Sequence, residues 1–153
     1  MVKFIVLIFL MILSSCSHLF YFPDRYLYSD PKQYKISYEN IFFKSKDGTK
    51  LHGWYLQNKE KKVPSKGLIV FFHGNAQNIS SHYGSIGWIT KEGYDVFIFD
   101  YRGYGLSEGE PYQRGVYEDS LAALNLAHKR LKKEGHKKFI VYGQSLGGII
   151  SLR

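Results

Sequence analysis

Apolar residues in this chain fall in short blocks separated by polar, glycine-containing segments. Blocks at about 35–44, 49–57, 67–73, 95–100 and 138–143 predict five strands. Lys46-Asp47-Gly48 joins the first two and reads as a hairpin turn. The third and fourth blocks, Gly67-Leu-Ile-Val-Phe-Phe-His73 and Asp95-Val-Phe-Ile-Phe-Asp100, are continuously apolar inside, as strands buried on both faces are. A helix is predicted at about 79–92. A longer amphipathic helix is predicted at about 113–134, where Val116, Leu121, Leu124, Ala127 and Leu131 recur near helical spacing and Gly135 supplies the stop. A last helix follows the fifth strand. The order β-β-β-α-β-α-β-α predicts an α/β sheet with an antiparallel start, then parallel strands with helices on both faces.

The first residues have a different pattern. Lys3 precedes an uninterrupted apolar run, Phe4 to Leu13, followed by Ser14, Ser15 and Cys16. The run is short for a bilayer span and suits the apolar region of a signal peptide. Leu13-Ser-Ser-Cys16 resembles the bacterial lipobox, in which cleavage leaves Cys16 as a lipid-modified N-terminus. The expectation is a lipid-anchored cell-envelope protein held at the membrane through its N-terminus. An uncleaved anchor extended by Leu19 to Phe22 competes with this, and plain secretion leaves Cys16 a bystander. Pro23 and Pro31 disfavour a continuous helix in the aromatic stretch Phe20 to Tyr34. Its rings either sit at the lipid interface or pack on the domain, and packing is the reading taken here. The chain divides into a targeting segment (1–16), a juxtamembrane aromatic segment (17–34) and one partial catalytic-type domain (35–153), without internal repeats.

Charge changes the picture little. The formal net charge is +8, with lysines grouped at Lys59, Lys61, Lys62 and again from Lys129 to Lys138. These read as loops and a solvated helix face, with attraction to an anionic surface as the functional alternative. No nucleic-acid-binding signature accompanies them, so no nucleic-acid partner is expected. Cys16 is the one cysteine, so no intrachain disulfide forms. The histidines are scattered without metal-ligand spacing, so no metal site is expected. No cofactor is expected either. The Gly-rich turn near the C-terminus lacks the lysine of a phosphate loop, and Gly103-Tyr-Gly105 does not complete a dinucleotide fingerprint.

The chemistry is carried by Gly143-Gln144-Ser145-Leu146-Gly147, directly after the fifth strand. In a nucleophile elbow the serine occupies a sharp strand-to-helix turn that needs small residues two before and two after it. Gly143 and Gly147 hold those places. The turn lifts the Ser145 hydroxyl towards a pocket and sets the Leu146 amide at a helix N-terminus, where it can donate to an oxyanion.

Three strings in order, His73-Gly-Asn-Ala76, Asp100-Tyr-Arg-Gly-Tyr-Gly-Leu-Ser-Glu-Gly109 and Gly143-Gln-Ser-Leu-Gly-Gly148, resemble the α/β-hydrolase superfamily. They are most similar to its serine-aminopeptidase-like, membrane-anchored branch. Phe20-Tyr-Phe-Pro-Asp-Arg-Tyr26 and Asp47-Gly-Thr-Lys-Leu-His-Gly-Trp-Tyr55 fit that branch too. The resemblance implies the strand order 1-2-4-3-5. It also implies a second oxyanion donor from the loop after strand three, the backbone of Asn75 or, as a lesser choice, Ala76. Gly74 permits close approach there, and His73 braces the loop.

In this fold the acid and the histidine follow the serine, and nothing acidic and no histidine follows Ser145. His73 is read as the only histidine near the pocket, with a minor alternative as substitute base. Asp100 and Arg102 read as loop braces, Glu108 and Asp119 as loop and helix-surface residues. The expectation is the N-terminal half of a serine hydrolase for an ester, thioester or amide carbonyl in a small-molecule or peptide substrate. It is expected to be inactive alone, with a separate C-terminal half as a candidate partner. The alternative is a membrane-anchored, non-catalytic binding module or a decayed fragment. Strand five, central in a complete fold, is expected to be an exposed apolar edge here.

Overall fold

A computed structural model of the chain describes residues 20–57 and 65–152. The apolar run, Cys16 and Lys59, Lys61 and Lys62 lie outside them.

Five strands form one sheet: β1 (Ser37–Lys44), β2 (Lys50–Gln57), β3 (Leu68–Phe72), β4 (Asp95–Asp100) and β5 (Phe139–Gly143), in the order β1-β2-β4-β3-β5. This is the expected order. β1 and β2 form an antiparallel hairpin from Ser37↔Gln57 to Lys44↔Lys50, and β2 runs antiparallel to β4. β3 lies parallel to both β4 and β5. The hairpin closes with Gly48 N–H donating to Ser45 O (3.0 Å), at a Gly48 φ of +89° that side chains disfavour.

The continuous apolar strands serve two cores, because alternate residues face opposite sides. Leu68, Val70 and Phe72 of β3 join Phe97, Phe99 and Tyr101 beneath helix α2 (Gln113–Glu134) through Val116, Ala123 and Ala127. Ile69 and Phe71 join Trp54, Leu56 and Ile98 beneath α1 (Ile79–His82) and Tyr83. Each such burial contributes roughly 1.5–3 kcal/mol. Helix α2 ends at Gly135, in the left-handed region at φ +72°. α3 (Leu146–Ser151) follows β5 and packs on β3, β5 and α2.

Two local expectations need correction. The segment 79–92 is not one helix. A single α turn gives way to 3₁₀ turns at Tyr83–Ser85 and Gly87–Glu92. Gly84 and Gly87 weaken a helix there. A Cβ on Gly87 would also lie 3.1 Å from Ile36 and 3.3 Å from Tyr83, so close packing fixes the glycine. The backbone of the aromatic segment is fastened to the domain and Tyr21 packs on its core, but Phe20, Phe22, Tyr26, Tyr28 and Tyr34 are exposed, so the expected packing of its rings is corrected. Phe22–Pro23 pairs in parallel with Ala76–Gln77, and Pro31–Tyr34 forms a 3₁₀ turn capped by Asp30. Asn78 Nδ2 donates to Asp24 O (3.0 Å) and Tyr26 O (2.8 Å), and Gly105 N–H donates to Asp24 O (2.9 Å). Residues 22–28 thus form a strap across the loops at the carboxyl ends of β3 and β4.

β5 pairs on one side only among the described residues. Ile140, Val141 and Tyr142 are 37%, 41% and 44% exposed, the apolar edge that the sequence led us to expect.

Candidate active site

The carboxyl ends of β3, β4 and β5 carry the candidate residues. Ser145 lies between β5 and α3 at φ +53°, ψ −116°, a strained backbone for a residue with a side chain. Two glycines allow it. A Cβ on Gly143 would lie 2.5 Å from Gly147 O, and a Cβ on Gly147 would lie 2.0 Å from Phe72 O. The turn is tied to its neighbour strand by Gln144 N–H donating to Phe72 O (3.0 Å). Leu146 opens α3, so its amide belongs to the first helical turn, whose donors have no intrahelical acceptor.

The loop after β3 lies beside this turn. Asn75 is held from three directions. Its Nδ2 donates to Phe20 O (2.7 Å), its Oδ1 accepts from Phe22 N–H (3.3 Å), and the Tyr104 hydroxyl reaches its carbonyl oxygen (2.7 Å) and Oδ1 (2.8 Å). A Cβ on Gly74 would sit 3.3 Å from the His82 ring, so the loop packs closely there.

His73 is fully buried. Its Nδ1–H donates to Gly74 O (2.7 Å), its ring stacks on His82 at 5.1 Å, and its Nε2 lies 3.5 Å from Asp100 Oδ1. Burial, opposed by the nearby Asp100 carboxylate, pushes its pKa down to about 4. These contacts are those of a neutral residue bracing the loop. The reading of His73 as the only histidine near the pocket is corrected. His82 Nε2–H donates to Ala76 O (2.7 Å), and its Nδ1 lies 3.2 Å from Gln144 Oε1, so it spans the loop and the turn. Nothing in the local sequence marks His82 out, because only tertiary packing brings it to residue 144.

His73 sets a pH dependence. The unfolded chain protonates this histidine below about pH 6.5, whereas the folded chain resists until about 4. The unfolded state therefore binds more protons in that window, and stability falls as pH drops through it, by up to about 3 kcal/mol. Urea midpoints measured from pH 7 to 4 should fall more steeply for the wild type than for His73→Gln. Parallel curves would sink the assignment.

Asp100 ends β4 between two histidines. Its Oδ1 accepts from Ile79 N–H (2.9 Å), and its Oδ2 lies 3.7 Å from His52 Nδ1. Its backbone oxygen accepts from Ser107 Oγ (2.7 Å), which in turn accepts from His52 N–H (3.0 Å). Both it and Arg102 brace the loops, as read. Asp119 is not a surface residue. It is fully buried and accepts from Arg102 Nε and NH2 (2.8 Å to NH2), while Arg102 NH1 donates to Asp47 (2.8 Å) and Tyr112 (2.9 Å). Gly115 makes the room, because a Cβ there would lie 2.5 Å from the guanidinium. The Arg102 partnership holds the Asp47 carboxyl well below its ordinary range.

The scattered histidines hid one cluster. Asp95, Glu134 and His136 converge around the Tyr55 hydroxyl, at the opposite end of β4 from the serine turn. Arg130 pairs with Glu134 (2.6 Å) and with Glu39 (2.6 Å), and His136 lies 3.4 Å from Asp95. The group reads as an ion-pair network anchoring the end of α2.

The larger cavities, ≈ 430 Å³ each, lie on β1 and α2 and beside Trp88. A cavity of ≈ 90 Å³, lined in part by Leu146, Ile150 and Tyr21, adjoins the serine turn.

Comparison with known proteins agrees with this arrangement. Residues 63–153 match the family described as "Serine aminopeptidase, S33". Escherichia coli YfhR is 37% identical over 131 residues, which cover 84% of this chain and 44% of YfhR. A Saccharomyces cerevisiae relative named "Uncharacterized membrane protein YNL320W" is 32% identical over 124 residues, 80% of this chain and 42% of its own. The solved Pyrococcus furiosus esterase Pf2001 superposes with a TM-score of 0.71 at 27% identity, covering 87% of this chain and 51% of the esterase. The chain thus spans less than half the length of these curated relatives. No helix among the described residues is long and apolar enough to cross a membrane. With the sheet order, the strand–serine–helix turn and the family match in agreement, this chain belongs to the serine aminopeptidase family of α/β hydrolases.

Proposed function

We propose that the chain carries the nucleophile and oxyanion donors of a serine hydrolase acting on an ester, thioester or amide. The positive φ of Ser145, in a turn that two sterically required glycines permit, is the observation that carries the reading. Ser145 Oγ attacks the carbonyl carbon as its proton passes to a base. The carbonyl oxygen becomes an oxyanion facing the Leu146 and Asn75 amides. The intermediate collapses to an acyl-enzyme, and the alcohol, thiol or amine leaves with a proton. Water then attacks the acyl carbon and restores Ser145. Base and acid come from outside these residues, since in this fold they follow the serine. His73, neutral and committed to Gly74 O, is a poor substitute. The substrate is a small molecule or peptide bearing a carbonyl. Residues 1–16 act as a lipoprotein signal, with Cys16 as the lipidated residue that holds domain 35–153 at the membrane.

A second reading rests on the exposed β5 edge. There the chain is a membrane-anchored binding module whose edge a partner strand covers.

Fluorophosphonate labelling of membranes from cells carrying the native locus tests both. Ser145→Ala should abolish one band while leaving the protein level unchanged. A Ser145-dependent band above 17.8 kDa assigns the residues to a longer active hydrolase. A band at that mass, or below it after signal cleavage, means the base is supplied in trans or by His73. With the protein present and no Ser145-dependent band, the hydrolase reading fails and the binding module gains.

A further inference from the structure

We propose that the aromatic strap is a membrane-interface face that lays the carboxyl end of the sheet, and with it the serine turn, against the bilayer. This rests on the proposal that residues 1–16 attach the chain to the membrane.

The strap is fastened to the domain yet presents its large side chains outward. Phe20, Phe22, Tyr26 and Leu27 are 71%, 59%, 68% and 63% exposed. Their backbone is held by the loops around the site, through Asn75 to Phe20 and Phe22 and through Asn78 to Tyr26. Leu106, 62% exposed on the loop after β4, lines one ≈ 230 Å³ cavity with Arg25, Tyr26 and Leu27, so the patch is shared by strap and loop. Exposed apolar side chains concentrated in one short, well-fastened segment mark an interaction surface rather than scattered surface residues.

Position and composition identify the occupant. Three residues separate Cys16, the proposed lipidated residue, from Phe20. Even fully extended, that linker reaches no more than about 15 Å, so a membrane-attached N-terminus keeps the strap close to the bilayer. Phenylalanine and tyrosine with leucine suit the headgroup boundary, where a ring is half in hydrocarbon and its polar edge is wet. Arg25, Lys32 and Lys35 are exposed on the same segment. Its carboxylates, Asp24 and Asp30, keep their charge while accepting from Tyr26 N–H and the Tyr28 hydroxyl and from Lys32 N–H and the Tyr38 hydroxyl. Three cations against two carboxylates leave the segment slightly positive, so its rings dominate what it offers to the bilayer. Because Asn75 is tied to the strap, the loop assigned the second oxyanion donor would be braced from the membrane side.

The test uses the full chain in vesicles of phosphatidylcholine and phosphatidylglycerol, with plain or brominated acyl chains. Trp54 is buried and stays as a constant background. Trp88→Phe removes the exposed tryptophan. Leu27→Trp then reports from the strap, and Leu121→Trp reports from the exposed face of α2. In brominated vesicles the Leu27→Trp emission should fall by about twofold, as expected for a side chain at the headgroup–acyl boundary, while Leu121→Trp stays constant. Vesicle flotation without quenching at residue 27, or with equal quenching at both positions, overturns the proposal and leaves anchoring intact. A blue-shifted but unquenched residue 27 assigns the face to a protein surface and also overturns it. A chain that does not float with vesicles overturns the anchoring itself.

Discussion

Gly147→Ala should destabilise the chain by at least about 4 kcal/mol and abolish fluorophosphonate labelling of any folded remainder. The added methyl carbon would lie 2.0 Å from Phe72 O, 2.5 Å from Phe72 C and 2.7 Å from His73 O. All three are backbone atoms, so no side-chain rotation relieves the overlap. Either α3 moves off β3 or the turn opens, and each displaces Ser145. A cost above the common range for single substitutions is expected from so direct a clash. Gly148→Ala is the matched control. Its new carbon would lie 3.6 Å from Gly143 O, an ordinary contact, inside α3. Alanine is the better helix former, so this variant should gain roughly 0.5–1 kcal/mol. Urea unfolding of both variants decides the matter. Similar midpoints would show that the turn does not pack on β3 as described.

Asp119→Ala should cost about 3–5 kcal/mol, the range for removing one partner of a buried ion pair. Arg102 is left with its charge in a nearly closed site, where its side chain is 3% exposed. Asp47 remains 2.8 Å from Arg102, but it meets only one edge of the guanidinium and is itself 38% exposed, so it offsets the stranded charge only in part. The damage reaches the site, since Arg102 starts the loop whose Tyr104 hydroxyl bonds Asn75. Loss of labelling should therefore accompany loss of stability. The double variant Arg102→Leu/Asp119→Leu separates charge from packing, because removing both charges avoids the stranded guanidinium. It should recover part of the single-variant cost in urea unfolding. A double variant as unstable as the sum of the singles would sink the ion-pair account.

The sheet was readable in advance because its strands advertise themselves. Leu68 to Phe72 and Val96 to Phe99 are apolar at every position, which only strands covered on both faces tolerate. The turn at Ser145 was also visible, since few local sequences combine an apolar strand with glycines two before and two after a serine. The 79–92 segment misled because its composition permits a helix. Ile36, from outside that segment, and Tyr83, brought against it by the fold, press on Gly87 and decide its path. Asp119 misled for the opposite reason. A carboxylate in the first half of an amphipathic helix ordinarily faces water, and only the arrival of Arg102 from the loop after β4 makes its burial favourable. Asn78 was legible in principle, as an asparagine capping Ile79-Ser80-Ser81, but its second role of holding the strap was not.

The sequence by itself determined the strands, their alternation into two cores, the long helix with its Gly135 stop and the strand–serine–helix turn. Each of these is set by near neighbours through residue size, backbone freedom and the period of apolar side chains. Tertiary structure alone decided which buried charges meet, that His82 reaches Gln144, that Asp95, Glu134 and His136 converge on Tyr55, and that Phe20 and Phe22 hang from Asn75. Those contacts join residues 50 or more positions apart in most cases. Their free energy depends on desolvation and geometry at the meeting point, and no local pattern encodes either.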